Sequence, residues 1–201
     1  MTDYAFALGC ATDKAWASLA AREPLALLSD HAHCELQAAI ACGALIARYP
    51  DRPALVDFAS RVITEEMVHF RRVVALLREM GGELRDAGPN PYAEGLRKGS
   101  SRTRKSGLLD RLLLAALIER RSCERFELLA EVDADPRLVR LYAELAPEEV
   151  EHQRLFLDLA RKECAEFDVD GRLAELIRVE AELMPTMAFA ARMHSGTAAL
   201  A

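Results

Sequence analysis

The sequence predicts an all-α protein: a four-helix bundle with one long crossover and additional N- and C-terminal helices. Three observations carry this. Apolar residues recur at helical spacing over long stretches, and strand-like alternation is scarce. Prolines, glycines and acids fall between those stretches. One connection, residues 82–106, is rich in Gly, Pro, Ser and Arg and divides the long helices into two pairs.

Taken in order, a short helix is expected near 12–22, four long ones near 25–48, 53–80, 107–132 and 136–164, and a last one near 171–184. Asp51 with Pro53, and Asp135 with Pro136, fit a capping acid followed by a first-turn proline. Gly81-Gly82 fits a helix stop, and Pro185 ends the last helix. Pro147 is expected to kink the fourth long helix.

Length and composition fit one domain, 1–201, with its bundle core at about 25–164: the chain has 201 residues, 51% hydrophobic and 29% charged. The best apolar run, Leu112–Ile118, is far too short to span a membrane, and MTDYAFALGC does not read as a signal peptide. Five cysteines without CxxC or framework spacing read as reduced thiols, so a cytoplasmic location away from any membrane is expected.

The register of the long helices raises a chemical question. On the second, the apolar stripe runs Phe58, Val62, Glu66, His69, Val73, Leu76, Met80, so an ExxH pair points inward. Glu65 instead neighbours Arg61 and Arg72. The fourth repeats the pattern, Leu138, Tyr142, Leu145, Glu149, His152, Phe156, Leu159, with Glu148 outside it. The helix before each pair adds one inward acid: Glu35 among Leu28, Ala32, Ala39 and Cys42, and Glu119 among Leu112, Ala115, Ser122 and Phe126. The chain is a degenerate repeat, a helix with Glu and then a helix with ExxH, twice.

Buried carboxylates must neutralise, pair or coordinate a metal. No comparable inward set of Lys or Arg is visible in the sequence. Glu on two helices and ExxH on the other two is the ligand set of carboxylate-bridged dinuclear sites. Oxygen and imidazole donors suit iron, manganese or zinc. The expected ligands are Glu35, Glu66, His69, Glu119, Glu149 and His152.

IERRSCERFELLA at 118–130 carries a resemblance to a known family. Together with CATDKAW at 10–16, LLSDHAHCELQAA at 27–39, EEMVHFRRVVALL at 65–77 and LYAELAPEEVEHQRLFLDLA at 141–160, it resembles the tRNA hydroxylases that act on 2-methylthio-N6-isopentenyladenosine beside the anticodon. The resemblance spans about residues 10–165. It implies a ferritin-like fold and O2-dependent hydroxylation of the isopentenyl group. It also implies two iron ions per chain (manganese remaining open), O2 as co-substrate, a prenylated tRNA partner and a separate reductase, since no flavin or iron–sulfur signature is present. The ligand roles it implies fall on the same six residues.

Residues 97–105, RKGSSRTRK, hold five basic side chains: Arg97, Lys98, Arg102, Arg104 and Lys105. Without them the chain has 21 basic and 32 acidic residues, a net of −11. A basic loop on an acidic protein fits contact with a phosphate backbone, and a solvated linker is the plainer reading of the same residues. Arg120, Arg121 and Arg125 are expected to pair with Glu124 and Glu127 along a helix face. Cys34 and Cys123 read as small hydrophobes; Asp30 and His31 are weighed as supports for a ligand histidine, and Trp16 and Tyr92 as base-stacking residues. Two rival functions share parts of this pattern: ferritin-like iron oxidation, storage or peroxide removal, and a metal-free helical RNA-binding protein.

Overall fold

A computed structural model describes residues 4–98 and 104–196. Among them there is no strand, and seven α-helices follow in order: α1 (Lys14–Ala20), α2 (Pro24–Arg48), α3 (Pro53–Glu79), α4 (Pro91–Arg97), α5 (Arg104–Ala130), α6 (Pro136–Glu163) and α7 (Val169–Leu183). A 3-10 turn at Met184–Thr186, with Pro185 near its start, ends the last helix as expected. Among the described residues no helix is long and apolar enough to cross a membrane.

The four long helices form the bundle. Helices α2 and α3 pack as one hairpin and α5 and α6 as another, with α3 against α6 between the pairs. Helices α1 and α7 pack on α5, and α4 packs on α7. Asp135 caps α6, accepting from Arg137 N at 2.9 Å. At the start of α3 the N-cap is Arg52 and makes no side-chain cap, so the expected capping by Asp51 is corrected. The Arg52 guanidinium instead donates to the Glu163 carbonyl (2.7 Å) and carboxylate (3.0 Å), tying the α2–α3 turn to the end of α6. Gly81 stops α3 with φ of 83°, a conformation costly for any side chain. Pro147 sits inside α6, which runs unbroken from 136 to 163.

The predicted connection contains α4, which its glycine- and proline-rich composition hid. Asn90 caps it through Ala93 N at 3.0 Å, Pro91 opens it, and Tyr92 and Leu96, one turn apart, are buried.

Buried side chains form two apolar clusters, one toward each end of the bundle. One gathers Cys42, Leu45, Val62, Leu113, Leu117, Phe156 and Leu157; the other gathers Leu27, Ala32, Val73, Leu77, Phe126, Tyr142 and Leu145. On every long helix the sequence-predicted ligands lie between the two. The polar layer is therefore sealed above and below by hydrocarbon.

Candidate metal centre

That layer brings together all six predicted residues. Glu35, Glu66, His69, Glu119, Glu149 and His152 are all buried. Their donor atoms form two overlapping sets: Glu35, Glu66, His69, Glu149, and Glu66, Glu119, Glu149, His152, each within 4.8 Å of one another. Glu66 and Glu149 belong to both. Each set thus has one carboxylate and one imidazole of its own and two shared carboxylates.

The histidines turn Nδ1 inward. His69 Nδ1 lies 3.2 Å from Glu149 Oε1 and 3.7 Å from both Glu35 Oε2 and Glu66 Oε2, and it makes no hydrogen bond. His152 Nδ1 lies 3.0 Å from Glu66 Oε1, in a geometry that leaves that oxygen without a hydrogen bond. Buried lone pairs converging in this way suit a pair of divalent cations, whose charge the four carboxylates would offset.

Outward, each Nε2 donates to a glutamate of the opposite ExxH helix. His69 Nε2 binds Glu148 at 2.9 Å, and His152 Nε2 binds Glu65 at 3.1 Å. Arg72 holds Glu148 at 2.8 Å and Glu144 at 2.9 Å. Glu148 is exposed and Glu65 half-buried on the outer side of their helices, as their register predicts, yet their carboxylates reach back to the rings. Such bonds favour the tautomer whose Nδ1 carries the inward-facing lone pair, as a metal ligand would need. Sequence register alone hid this role, because the partners lie on different helices.

Titration follows from the crowding. Burial and the facing Glu149 raise Glu66 to about 7. Burial, Glu149 and Glu66 push Glu119 well above the usual carboxylate range. Burial would also raise Glu149, but His152 and His69 pull it well below that range. Burial opposes charge on His69 and His152, yet the carboxylates around them raise both, His152 to about 12. Protons therefore balance this cluster in the absence of metal, and metal binding would displace them.

His31, weighed as a support for a ligand histidine, is fully buried and instead bonds the carboxylate of Glu35 through Nε2, one helical turn away. It stacks on Tyr142 (5.4 Å) and lies tilted against Phe126 (4.8 Å). Burial lowers its pKa to about 4, so the ring is neutral. Its i, i+4 spacing to Glu35 was the available signal. Asp30 supports no histidine; it accepts from Arg192 Nε at 2.6 Å and Met193 N at 2.7 Å.

The arginines of ERRSCERF, expected to pair along a helix face, are buried and reach well beyond it. Arg121 pairs with Glu124 as expected, and also with Glu180 at 2.7 and 2.8 Å and with the Cys10 carbonyl at 2.9 Å. Arg125 donates to the Met193 and Ser195 carbonyls, and Arg120 lies 3.4 Å over the Tyr4 ring. Covering segments from both chain ends explain the difference. Trp16 and Tyr92 are buried too, bonding Ser195 Oγ at 3.0 Å and Glu180 at 3.1 Å, so packing is their role. Burial raises the thiols of Cys34 and Cys123, which stay protonated. Of the basic stretch, Arg97 and Lys98 are exposed at the end of α4; Arg102 and the side chains of Arg104 and Lys105 lie outside the described residues.

An all-helical bundle whose buried centre joins two glutamate helices to two ExxH helices defines the ferritin-like class of dinuclear-metal folds. Within it the chain belongs to the tRNA-(MS[2]IO[6]A)-hydroxylase (MiaE) family, whose model matches residues 2–195. It is 38% identical over 190 residues to the tRNA 2-(methylsulfanyl)-N(6)-isopentenyladenosine(37) hydroxylase of Pseudomonas putida, covering 94% of this chain and 92% of that one. The enzyme of the same name from Salmonella typhimurium is 29% identical, over 96% and 88% of the two chains. Among solved structures, a Synechococcus protein described as having aldehyde deformylating oxygenase activity superposes with a TM-score of 0.89 at 33% identity, covering 94% of this chain and 96% of that one.

Proposed function

We propose that this chain hydroxylates the isopentenyl side chain of 2-methylthio-N6-isopentenyladenosine in tRNA, using two iron ions and O2. Family membership supports the substrate, and the oxygenase activity named for the structural relative supports the use of O2. The observation that carries the chemistry is the buried layer in which Glu66 and Glu149 are shared between two donor sets.

In this reading Glu35 and His69 would hold one ion and Glu119 and His152 the other, with Glu66 and Glu149 common to both donor sets. Bound iron would supply O2 activation: one oxygen atom enters a C–H bond and the other leaves as water, with two electrons and two protons from an external reductase. The protein does the rest. Glu148 and Glu65 keep each imidazole Nε2 protonated and its Nδ1 turned inward. His31 holds one oxygen of Glu35. The two apolar clusters exclude water above and below the carboxylates. Arg97, Lys98, Arg102, Arg104 and Lys105 would contact RNA phosphates, and a tRNA substrate fits a cytoplasmic enzyme organised as one domain.

Iron per chain, measured after anaerobic loading with iron(II) and removal of loose metal, is the first test, with about two expected from the paired donor sets. The loaded protein, given reductant, O2 and prenylated tRNA, should yield a nucleoside heavier by one oxygen atom derived from O2. Two irons without oxygen transfer would favour iron oxidation or storage, which the family does not. No bound metal in folded protein would remove the proposal.

A further inference from the structure

A cavity of about 360 Å3 opens on the side of the bundle, lined among others by Asp30, Asn90, Met187, Phe189, Arg192 and His194. Its outer wall is the segment after α7, which crosses back over α2 and α5. That segment is pinned at several points: Asp30 to Arg192 and Met193, Arg125 to two carbonyls, and Gly196 N to Ala188 O at 3.0 Å. A Cβ at residue 196 would come within 1.8 Å of the Met187 carbonyl oxygen, so glycine is needed for the closure.

His194 is the buried imidazole of the cavity lining. It is stacked on Tyr92 with centroids 4.8 Å apart. Its Nε2 meets Ser122 Oγ at 3.2 Å and its Nδ1 meets Cys34 Sγ at 3.7 Å. Cys34 adjoins Glu35, and Ser122 is one turn beyond Glu119. His194, which lines the cavity, thus touches α2 and α5 residues that neighbour Glu35 and Glu119 in sequence.

Its size lies within the range of small-ligand pockets, roughly 300–1,000 Å3, and admits one everted nucleotide but no duplex. Phe189 is half-buried on the wall, and Met187 adds apolar surface. The Asn90 side-chain oxygen is committed to capping α4, which leaves its amide N–H groups to donate to a ring nitrogen. Pro91 lines the same cavity, and Arg97, the first exposed cation of the basic stretch, lies six residues along α4, a rise of roughly 9 Å. The cavity and the exposed Arg97 and Lys98 thus sit at opposite ends of one short helix.

We propose that this cavity seats the modified purine of the tRNA, stacked on Phe189 and bonded by Asn90, with its prenyl chain directed past His194 toward Glu35 and Glu119. The proposal rests on the hydroxylase reading. Two variants test it: Ala188→Trp, which fills the cavity from an exposed position, and Phe189→Leu, which keeps apolar packing but removes the aromatic face. The probe is free 2-methylthio-N6-isopentenyladenosine, dialysed anaerobically against iron(II)-loaded protein. Both variants should bind it about 10-fold or more weakly while holding as much iron as the parent and binding unmodified tRNA equally well. Parental nucleoside affinity in both variants, with tRNA hydroxylated at the parental rate, would overturn the pocket and leave the hydroxylase standing. Should Ala188→Trp fail to fold, Phe189→Leu decides alone by the same affinity. If the loaded parent transfers no oxygen to tRNA, the hydroxylase reading itself falls, and the pocket with it.

Discussion

Replacing Arg121 by Met tests what the ERRSCERF segment does. Arg121 and Glu180 are both fully buried and joined by two hydrogen bonds, of 2.7 and 2.8 Å. Without the guanidinium, the Glu180 carboxylate keeps Tyr92 OH at 3.1 Å but loses its buried countercharge. Thr12 Oγ1 and the Cys10 carbonyl lose donors as well. Removing one partner of a buried pair costs about 3–5 kcal/mol. At roughly 2–4 °C per kcal/mol for a chain of this size, Tm should fall by about 6–20 °C. Melting is followed by far-UV circular dichroism on metal-free protein, so that ligand linkage does not contribute. The double variant Arg121→Met/Glu180→Leu should recover most of the loss, since an apolar pair leaves no orphaned charge. A single-variant drop below about 3 °C, or no recovery in the double, would refute the view that this pair clamps α7 to α5.

Other outcomes follow from the same geometry. Glu66→Ala and Glu149→Ala should abolish paired iron binding, because each removes a carboxylate common to both donor sets; metal analysis of the two variants checks this. Glu65→Ala and Glu148→Ala should still reach the parental stoichiometry at saturating iron, with affinity weaker by about 10- to 100-fold through the lost imidazole bonds. Equal iron titrations for all four variants would refute the division of roles. Changing Arg102, Arg104 and Lys105 to Ser should lower the salt dependence of tRNA binding by roughly two in log–log slope, with iron content unchanged; a parental slope would make the stretch a linker. Gly196→Ala should raise hydrogen exchange across 187–196, because the Met187 carbonyl leaves no room for a Cβ; unchanged protection would refute the tight closure.

The six-residue centre was legible in the chain because a helix projects every third or fourth residue onto one face, and two copies of the pattern share one register. Glu35, Glu66, His69, Glu119, Glu149 and His152 interrupt apolar stripes, so their burial follows from their neighbours along the same helix. Helix ends governed by local chemistry were legible too, as at Asp135 and Gly81. Where a side chain at a helix start reaches into another helix, as Arg52 does toward Glu163, the local pattern misled. The seven-residue α4 escaped notice because its length gives the period too few repeats.

Everything around the centre depended on which distant segments cover which helix. Glu65 and Glu148 keep the outward register their helices assign, but only the α3–α6 packing brings each to the other's histidine. His31 gained its role from burial against Phe126 and Tyr142. Arg121 and Arg125 read as partners for glutamates along their own helix, but residues 10–12 and 193–195 close over them and take most of their hydrogen bonds. The sequence by itself determined four helices and their inward polar side chains, because periodicity is a property of one helix. Tertiary structure alone decided their supports and the cavity beside them, because those contacts join residues up to 179 positions apart, as between Trp16 and Ser195.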